Sequence, residues 1–223
     1  MKKLVPNYRT LRSTLALFVA GILLGGCQLW QSSHDMPAPP PDQPKLDWVD
    51  HVRTLTLMQE WQIKGKIGVR TADDGGSAYM DWSQSFDSFY ILLSGPLGQG
   101  STIISGNPYG ARLENNDGTY ISDSPEQLVE QHTGWVIPIH QLLYWVKGIP
   151  APHGKSSKTH NEFGTLETLT QNGWTLQYDR YGTALNTLLP QKIKISKGDL
   201  KVTLIIKEWL PLATQEDAPS TPI

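Results

Sequence analysis

The sequence predicts an α+β fold in which a few helices cover the apolar face of a curved antiparallel sheet. Several segments of the 223-residue chain alternate apolar and polar residues, most clearly residues 200–209, and this period of two is typical of a strand with one buried face. Short turn sequences such as Asn116-Asp117-Gly118 and Asn172-Gly173 separate neighbouring segments, and strands joined by such turns pair antiparallel. Three other segments have helical spacing, which indicates that helices cover the apolar face.

The domain is predicted to begin with a helix over residues 46–60. Val49, Val52, Leu55 and Met58 recur there every three residues, and Asp47 is a candidate N-cap. The period then changes to two, and we predict the strands of the first half of the sheet over residues 61–70, 78–82, 89–93, 101–105, 111–115 and 119–121.

Two further helices interrupt the series of strands. Ser124 is a candidate N-cap, Pro125 suits the first helical position, Gln127 completes a capping box, and Gly134 ends the helix. A second helix is predicted over residues 138–147 and ends before Gly148. The second half of the sheet follows, with strands predicted over residues 163–170, 174–181, 189–196 and 200–209.

The amino terminus has the features of a lipoprotein signal peptide over residues 1–26. Four basic residues precede an apolar run over residues 15–24, which is too short to span a bilayer comfortably. The segment Leu24-Gly25-Gly26-Cys27 resembles a bacterial lipobox, and Cys27 is the only cysteine of the chain. We therefore expect lipid attachment at Cys27; the alternative is an ordinary signal peptide with an incidental cysteine. By resemblance to enterobacterial lipoproteins, Gln28 in place of aspartate fits passage to the outer membrane.

Composition divides the rest of the chain into three parts. Residues 27–45 are rich in proline, serine and short polar residues and are expected to form an extended tether, and residues 210–223 a disordered tail. Residues 46–209 between them are enough for one domain with a real core. Without the signal peptide the chain has 15 basic and 21 acidic residues, a formal charge of −6, which argues against a nucleic-acid binder.

Patterns that indicate catalysis or metal binding are scarce. The six histidines include no pair with the spacing of a zinc motif, and His132 and His140 are interpreted as polar faces of helices. Asp73-Asp74 precedes two glycines, which favours a turn over a pair of catalytic carboxylates. No nucleophile elbow, phosphate loop or dinucleotide fingerprint occurs. We therefore expect no enzyme, no cofactor and no metal site.

A glycine-rich loop over residues 95–100 separates two apolar strands. Its one large apolar residue is Leu97, which lies between Pro96 and Gly98. Leu97 either projects as an exposed hydrophobe or folds back onto the sheet, and the residues alone leave both alternatives open.

The order of several motifs resembles the LolB family, the outer-membrane receptors for lipoproteins. The similar segments are residues 61–69, 81–84, 90–98, 133–138, 142–150, 190–193 and 200–209. Together they span the predicted domain in the family's order, and the lipobox agrees with them independently. The tail beyond Trp209 passes the usual end of the family, and we assign it no function.

The resemblance implies an incomplete, half-open β-barrel that encloses an apolar cavity. It also implies a monomeric receptor, anchored to the outer membrane and facing the periplasm, that accepts triacylated lipoproteins from the soluble carrier LolA. The receptor would insert this cargo into the outer membrane without ATP. A loop leucine of the family is thought to help membrane insertion, and it matches Leu97, so the resemblance favours the exposed alternative. Residues expected to contact the acyl chains of the cargo are Trp82, Leu92, Ile103, Leu142, Leu143, Trp145, Val202 and Leu204.

Two other functions are weighed against the receptor. One is a lipid-anchored envelope scaffold or binding protein with no role in acyl-chain transfer, in which Leu97 is tucked inside. The other is an envelope hydrolase with scattered catalytic groups. Binding of acyl chains in the cavity separates the receptor from the scaffold, and a pocket with converging carboxylates or a Ser–His pair would favour the hydrolase.

Overall fold

The computed structural model describes residues 36–95 and 100–212 of the chain. The signal peptide with Cys27, the loop residues Pro96, Leu97 and Gly98, and most of the predicted tail lie outside the described residues, so what is predicted for them stays a prediction. The strands of the described part are β1 (Glu60–Arg70), β2 (Gly75–Ser85), β3 (Ser88–Ser94), β4 (Ser101–Asn107), β5 (Gly110–Asn115), β6 (Gly118–Ser122), β7 (Ser156–His160), β8 (Leu166–Gln171), β9 (Trp174–Ala184), β10 (Thr187–Lys197) and β11 (Leu200–Leu210).

All eleven described strands pair into one antiparallel sheet. Their order is β6-β5-β4-β3-β2-β1-β11-β10-β9-β8-β7, so each strand lies beside its neighbour in sequence except where β1 pairs with β11. The outermost described strands, β6 and β7, do not pair with each other, so the barrel is not closed. The predicted α+β class, with an open antiparallel sheet under a few helices, is confirmed.

Three helices accompany the described strands: α1 (Trp48–Leu57), α2 (Pro125–Thr133) and α3 (Ile139–Trp145). The predicted N-caps and the glycine that ends α2 are confirmed, but the reciprocal bond of the capping box is not, because the backbone N–H of Ser124 donates to the Ser122 hydroxyl and not to Gln127. The Asp47 carboxylate accepts a hydrogen bond from the backbone N–H of Asp50 at 3.0 Å, and the Ser124 hydroxyl accepts one from Gln127 at 3.3 Å. Gly134 ends α2 in the left-handed conformation with a φ of 72°, which glycine adopts without steric cost.

Two of the predicted helices are longer than those observed. Helix α1 ends at Leu57 and not at Glu60, because Glu60 already pairs with Ser85 in the sheet. Helix α3 ends at Trp145, and the backbone turns at Gly148 with a φ of 80°. Hydrogen bonds of the sheet and the positive φ of a glycine therefore override the helical spacing at these ends.

Strand β7 was not predicted. Residues 156–160 lie between the helix predicted over residues 138–147 and the strand predicted over residues 163–170, yet they pair with β8 along the edge of the sheet. All five side chains of β7 are exposed, so no apolar alternation marks it as a strand. Backbone pairing with β8 and polar cross-strand contacts hold it in place, among them the hydrogen bond between the hydroxyls of Thr159 and Thr168 at 2.8 Å.

The described part of the predicted tether contacts the sheet. The Gln191 side-chain amide donates to the carbonyl of Met36 at 2.6 Å, and the backbone N–H of Thr183 donates to the carbonyl of Pro37 at 3.0 Å. The backbone N–H of Leu46 donates to the carbonyl of Phe163 at 2.9 Å. From Met36 onward the segment is therefore held against the second half of the sheet by backbone carbonyls, which composition does not predict.

Candidate functional site: an apolar hollow

An apolar hollow of about 470 Å³ lies between the inner face of the sheet and helices α2 and α3. Its volume is within the range of small-molecule binding pockets. The residues that line it are Ile67, Val69, Gly76, Ser77, Ala78, Met80, Trp82, Ile91, Leu93, Gly95, Gly100, Ser101, Thr102, Ile104, Leu113, Asn115, Asn116, Asp117, Val129, Trp135, Ile137, Pro138, Ile139, Leu142, Trp174, Ile195, Val202 and Leu204.

The inner face is apolar because the strands pair in a register that brings apolar residues side by side. Ile91 of β3 lies opposite Trp82 on one neighbouring strand and Ile104 on the other. Ile67 of β1 likewise lies between Ala78 and Leu204. Alternate residues of a strand face the same side, so these pairs form a continuous apolar wall.

The size of the side chains decides where the wall encloses space. At one end of the sheet, Trp61 packs against Trp82 and Trp209, with ring centroids 5.1 and 5.3 Å apart. At the other end, Val69 and Ile67 lie opposite Gly76 and Ala78. Three indoles fill the first end, whereas glycine and alanine leave the second end unfilled, so the hollow lies there.

The hollow is open to solvent at this second end, which we call the mouth. The exposed residues among its lining are Gly76, Ser77, Gly100, Ser101, Asn116 and Asp117. The backbone N–H of Gly95 donates to the carbonyl of Gly100 at 3.1 Å, and both glycines line the hollow. The loop that contains Leu97 therefore begins and ends at the mouth.

Side-chain contacts hold the two helices that cover the hollow. The His132 ring lies 3.8 Å from the Tyr120 ring, measured between centroids, and so joins α2 to β6. The Glu126 carboxylate accepts hydrogen bonds from the backbone N–H of His140 at 3.0 Å and pairs with the His140 ring at 2.6 Å. Burial alone would raise the pKa of Glu126, but these hydrogen bonds and the His140 ring lower it below its ordinary value. Both histidines thus have structural contacts that fasten α2 and α3.

Four of the eight residues predicted for the cavity line the hollow. They are Trp82, Leu142, Val202 and Leu204. Their place in the wall is a geometric fact, while their contact with acyl chains stays a prediction.

The structure places the other four away from the hollow. Leu92 and Ile103 lie opposite each other on β3 and β4, and Leu92 lines a shallow recess on the outer face beside Lys66 and Tyr79. The prediction selected apolar residues without asking which face of its strand each residue occupies. Leu92 and Ile103 alternate with Ile91 and Ile104 and therefore lie on the other face of the sheet.

Leu143 and Trp145 of α3 are outside the lining of the hollow. Ile139 and Leu142 line it, whereas Leu143 packs against the core. Trp145 is fully buried, and its indole N–H donates to the Gln171 carboxamide at 2.9 Å. The same Gln171 oxygen accepts from the backbone N–H of Ala151 at 3.0 Å, so Trp145 joins α3 to the end of β8.

Sequence reasoning missed most of the wall. Among the residues it missed, Ile91 and Leu93 lie on the same face as Trp82, and Met80 lies two residues before it. Every second residue along β2 from Trp82, together with the residues paired with them on the neighbouring strand, would have identified these lining residues. Val129 and Ile139 reach the hollow only because α2 and α3 fold over it.

Within the described ranges, no group of three histidine, cysteine, aspartate or glutamate side chains is placed to hold a metal ion. No helix in the same ranges is long and apolar enough to cross a bilayer. The lining of the site consists of an apolar wall and a polar mouth.

An open antiparallel half-barrel around an apolar hollow offers a binding site for apolar chains. Comparison with known proteins gives the particular family. The profile of the family "Outer membrane lipoprotein LolB" matches residues 59–209. The chain belongs to the LolB family.

Individual relatives agree with the family profile. The outer-membrane lipoprotein LolB of Chromohalobacter salexigens is 36% identical over 187 residues, which cover 84% of this chain and 85% of the relative. The LolB of Pseudomonas fluorescens is 45% identical over 165 residues, covering 74% and 80%. A solved structure of a DUF1329 family protein from Desulfovibrio piger has a TM-score of 0.52 at 7% identity and covers 80% of this chain and 95% of its own, a likeness of fold alone.

Proposed function

We propose that this protein is an outer-membrane receptor for lipoproteins. It accepts triacylated lipoproteins from a soluble periplasmic carrier of the LolA type and passes them to the outer membrane without ATP. Membership of the LolB family supports this function, and the apolar hollow with one open end is the observation that carries it.

The hydrophobic effect explains why such a receptor needs a hollow. Each methylene group removed from water contributes about 0.8 kcal/mol, so one long acyl chain exposed in water costs on the order of 10 kcal/mol. A lipoprotein with three acyl chains must therefore pass from one apolar cavity to another. A receiving cavity that binds about 1.4 kcal/mol more tightly gives a tenfold bias, and the bilayer is a still better apolar solvent.

The anchor and the orientation are part of the same proposal. Lipid on Cys27 would hold the monomeric chain at the outer membrane with its domain in the periplasm, as the lipobox predicts. A receptor held at the membrane by its own lipid stays where its cargo must be released.

The decisive test of the proposal is transfer from the carrier. We expect the purified receptor domain, without its anchor, to remove a triacylated lipoprotein from LolA, measured by separating the two proteins after mixing. An apolar fluorescent probe bound in the hollow should be displaced by the same carrier-delivered lipoprotein. An envelope scaffold would do neither, and a protein that leaves all cargo on the carrier is not this receptor.

The loop at the mouth provides a second test. We expect Leu97→Glu to leave acceptance from the carrier intact but to impair incorporation into vesicles, because a charge in place of this apolar side chain disfavours entry into the bilayer. The free energy of unfolding should change by about 0.5 kcal/mol or less. Gln99→Glu is the matched control, since it adds the same charge to the same loop. Delivery by Leu97→Glu at the wild-type rate would contradict the role of this leucine.

A further inference from the structure

The mouth of the hollow is polar, in contrast to the apolar wall behind it. Thr102 contributes a hydroxyl group to the lining, and Asn115 and Asn116 contribute carboxamides. The Asn115 oxygen accepts a hydrogen bond from the backbone N–H of Asp117 at 2.9 Å, which holds the β5–β6 turn at the mouth. The mouth therefore offers hydrogen-bond donors to the polar end of a lipid whose chain lies in the hollow.

The charge of the mouth is negative. Asp117 is the one charged residue in the described lining of the hollow, and residues 96–99 are uncharged in the sequence. Two basic residues of the same end, Arg70 and Lys201, line a separate recess with the β1–β2 turn. The Lys197 ammonium lies over the ring of the lining residue Trp174, 5.5 Å from its centroid, and Lys197 itself is outside the described lining.

Two kinds of lipid compete for such a hollow at a membrane. A lipoprotein carries its acyl chains on an uncharged head of ester and amide carbonyls, which accept hydrogen bonds. A phospholipid carries similar chains on a phosphodiester with a negative charge. The apolar wall cannot distinguish chains of the same length, so any discrimination must come from the mouth.

We propose that the mouth selects lipids with an uncharged ester- or amide-bearing head and disfavours anionic phospholipids, and that Asp117 is the specificity-determining residue. This inference rests on the proposed receptor function. A hollow that opens next to a bilayer meets phospholipid in large excess, and a mouth with donors but no cation keeps it free for cargo. The carboxylate repels the phosphodiester, and the hydroxyl and amide groups bind the carbonyls.

The test compares two ligands with the same chain and different heads. The protein is the mature chain with Cys27→Ala, which keeps all the described residues, 36–95 and 100–212. An uncharged probe, N-phenyl-1-naphthylamine, is bound and then displaced by 1-palmitoylglycerol or by palmitoyl lysophosphatidylglycerol below their micelle concentrations. We expect the wild type to prefer the glyceride by roughly fivefold at low salt, and less at high salt, because salt screens an exposed charge.

Asp117→Asn removes the charge while keeping the shape of the turn. We expect it to strengthen lysophospholipid binding by roughly threefold or more and to leave glyceride binding unchanged, as expected for loss of one exposed like charge. Asp199→Asn is the matched control, because Asp199 is an exposed turn residue outside the lining of the hollow. Lys197→Gln should also leave both affinities unchanged.

The outcomes separate this inference from the proposed function. If neither ligand displaces the probe, the hollow does not bind acyl chains and both fail. If both displace it equally in the wild type, or if Asp117→Asn and Asp199→Asn behave alike, the receptor proposal stands and the selectivity of the mouth is wrong. Dependence of lysophospholipid binding on Lys197 would likewise overturn it.

Discussion

Lys147 is a buried cation whose side chain caps the C-terminal end of helix α1. Only 6% of the residue is exposed, and its ammonium donates to the carbonyls of Leu55 at 2.8 Å and Met58 at 3.2 Å. Leu55 lies in the last turn of α1 and Met58 directly follows the helix, so the ammonium is at the C-terminal end, where a positive charge is favourable. Desolvation by burial lowers the pKa of Lys147 to about 8, so it stabilises the helix end at a cost in hydration.

That lowered pKa predicts how stability depends on pH. The unfolded chain holds the lysine proton more tightly than the folded one, so the free energy of unfolding rises as pH increases from about 8 towards the ordinary lysine pKa of about 10.4. Denaturant titrations between pH 7 and 9.5 should show a rise of about 1 to 2 kcal/mol for the wild type. The Lys147→Met variant should lack this rise, whereas Lys201→Met, at an exposed lysine, should keep it.

The upper pH limit of that experiment is set by two buried tyrosines. Burial raises the pKa of Tyr178 and of Tyr181 above the ordinary tyrosine value. A raised pKa of an acid means that stability is lost as pH rises above about 10. Their contribution therefore opposes that of Lys147 only beyond the chosen window. Equal pH profiles for the wild type and Lys147→Met would show that Lys147 is not desolvated as described.

At the scale of elements, β1 is the strand on which the two halves of the sheet meet. It pairs with β2 along its whole length and with β11, but its register against β11 shifts between Lys64 and Gly65. Such a bulge bends a strand and increases its twist. A Cβ at Gly65 would collide with the backbone carbonyl of Ile205, so only glycine allows this close approach.

Substitution of two glycines in β1 tests the bulge. We expect Gly65→Ala to lower the free energy of unfolding by about 2 to 4 kcal/mol, because backbone atoms must move to admit the methyl group. Gly68→Ala in the same strand should change it by less than about 1 kcal/mol, since the nearest atom to its Cβ is 3.9 Å away. Urea denaturation of both variants measures the difference, and equal losses would refute the close approach.

At the scale of the whole molecule, the inner face of the curved sheet encloses an apolar space that no side chain of the described residues fills. Side chains around an empty space lack partners for dispersion contacts, so a ligand that fills the hollow should stabilise the folded state. At a concentration 100 times its Kd, a ligand that binds only the folded protein adds about 2.7 kcal/mol. We expect 1-palmitoylglycerol to raise the Tm of the wild type correspondingly.

Two neighbouring residues of β4 test whether the ligand acts in the hollow. Thr102 lines it, whereas Ile103 faces the other side of the sheet. Thr102→Phe should place a ring in the hollow and abolish most of the thermal stabilisation by 1-palmitoylglycerol. Ile103→Phe adds the same ring on the outer face and should leave the shift in Tm unchanged. If both variants lose the stabilisation, the ligand binds somewhere else.

The predictions from sequence succeeded where structure is local. Asp47 and Ser124 cap helices because their side chains reach backbone N–H groups three residues ahead, and the Asn116-Asp117-Gly118 turn joins β5 to β6. Alternation in β11 predicted its buried face, with Val202 and Leu204 inward. Capping, turn formation and alternation involve residues close together in the chain, so the sequence alone can specify them.

Tertiary structure decided what depends on residues far apart in the chain. Strand β7 exists through pairing with β8, and Lys147 is buried because α1 ends beside it. Which residues line the hollow depends on the face of the sheet that Leu92 and Ile103 occupy. It also depends on the positions of Leu142 and Leu143 around α3. The spacing of apolar residues along a segment shows that the segment has a buried side. Only the packing of strands and helices shows whether that side meets other side chains or empty space. The sequence by itself therefore determined the class of fold and the family, while the position, walls and charged mouth of the hollow were set by the assembled sheet.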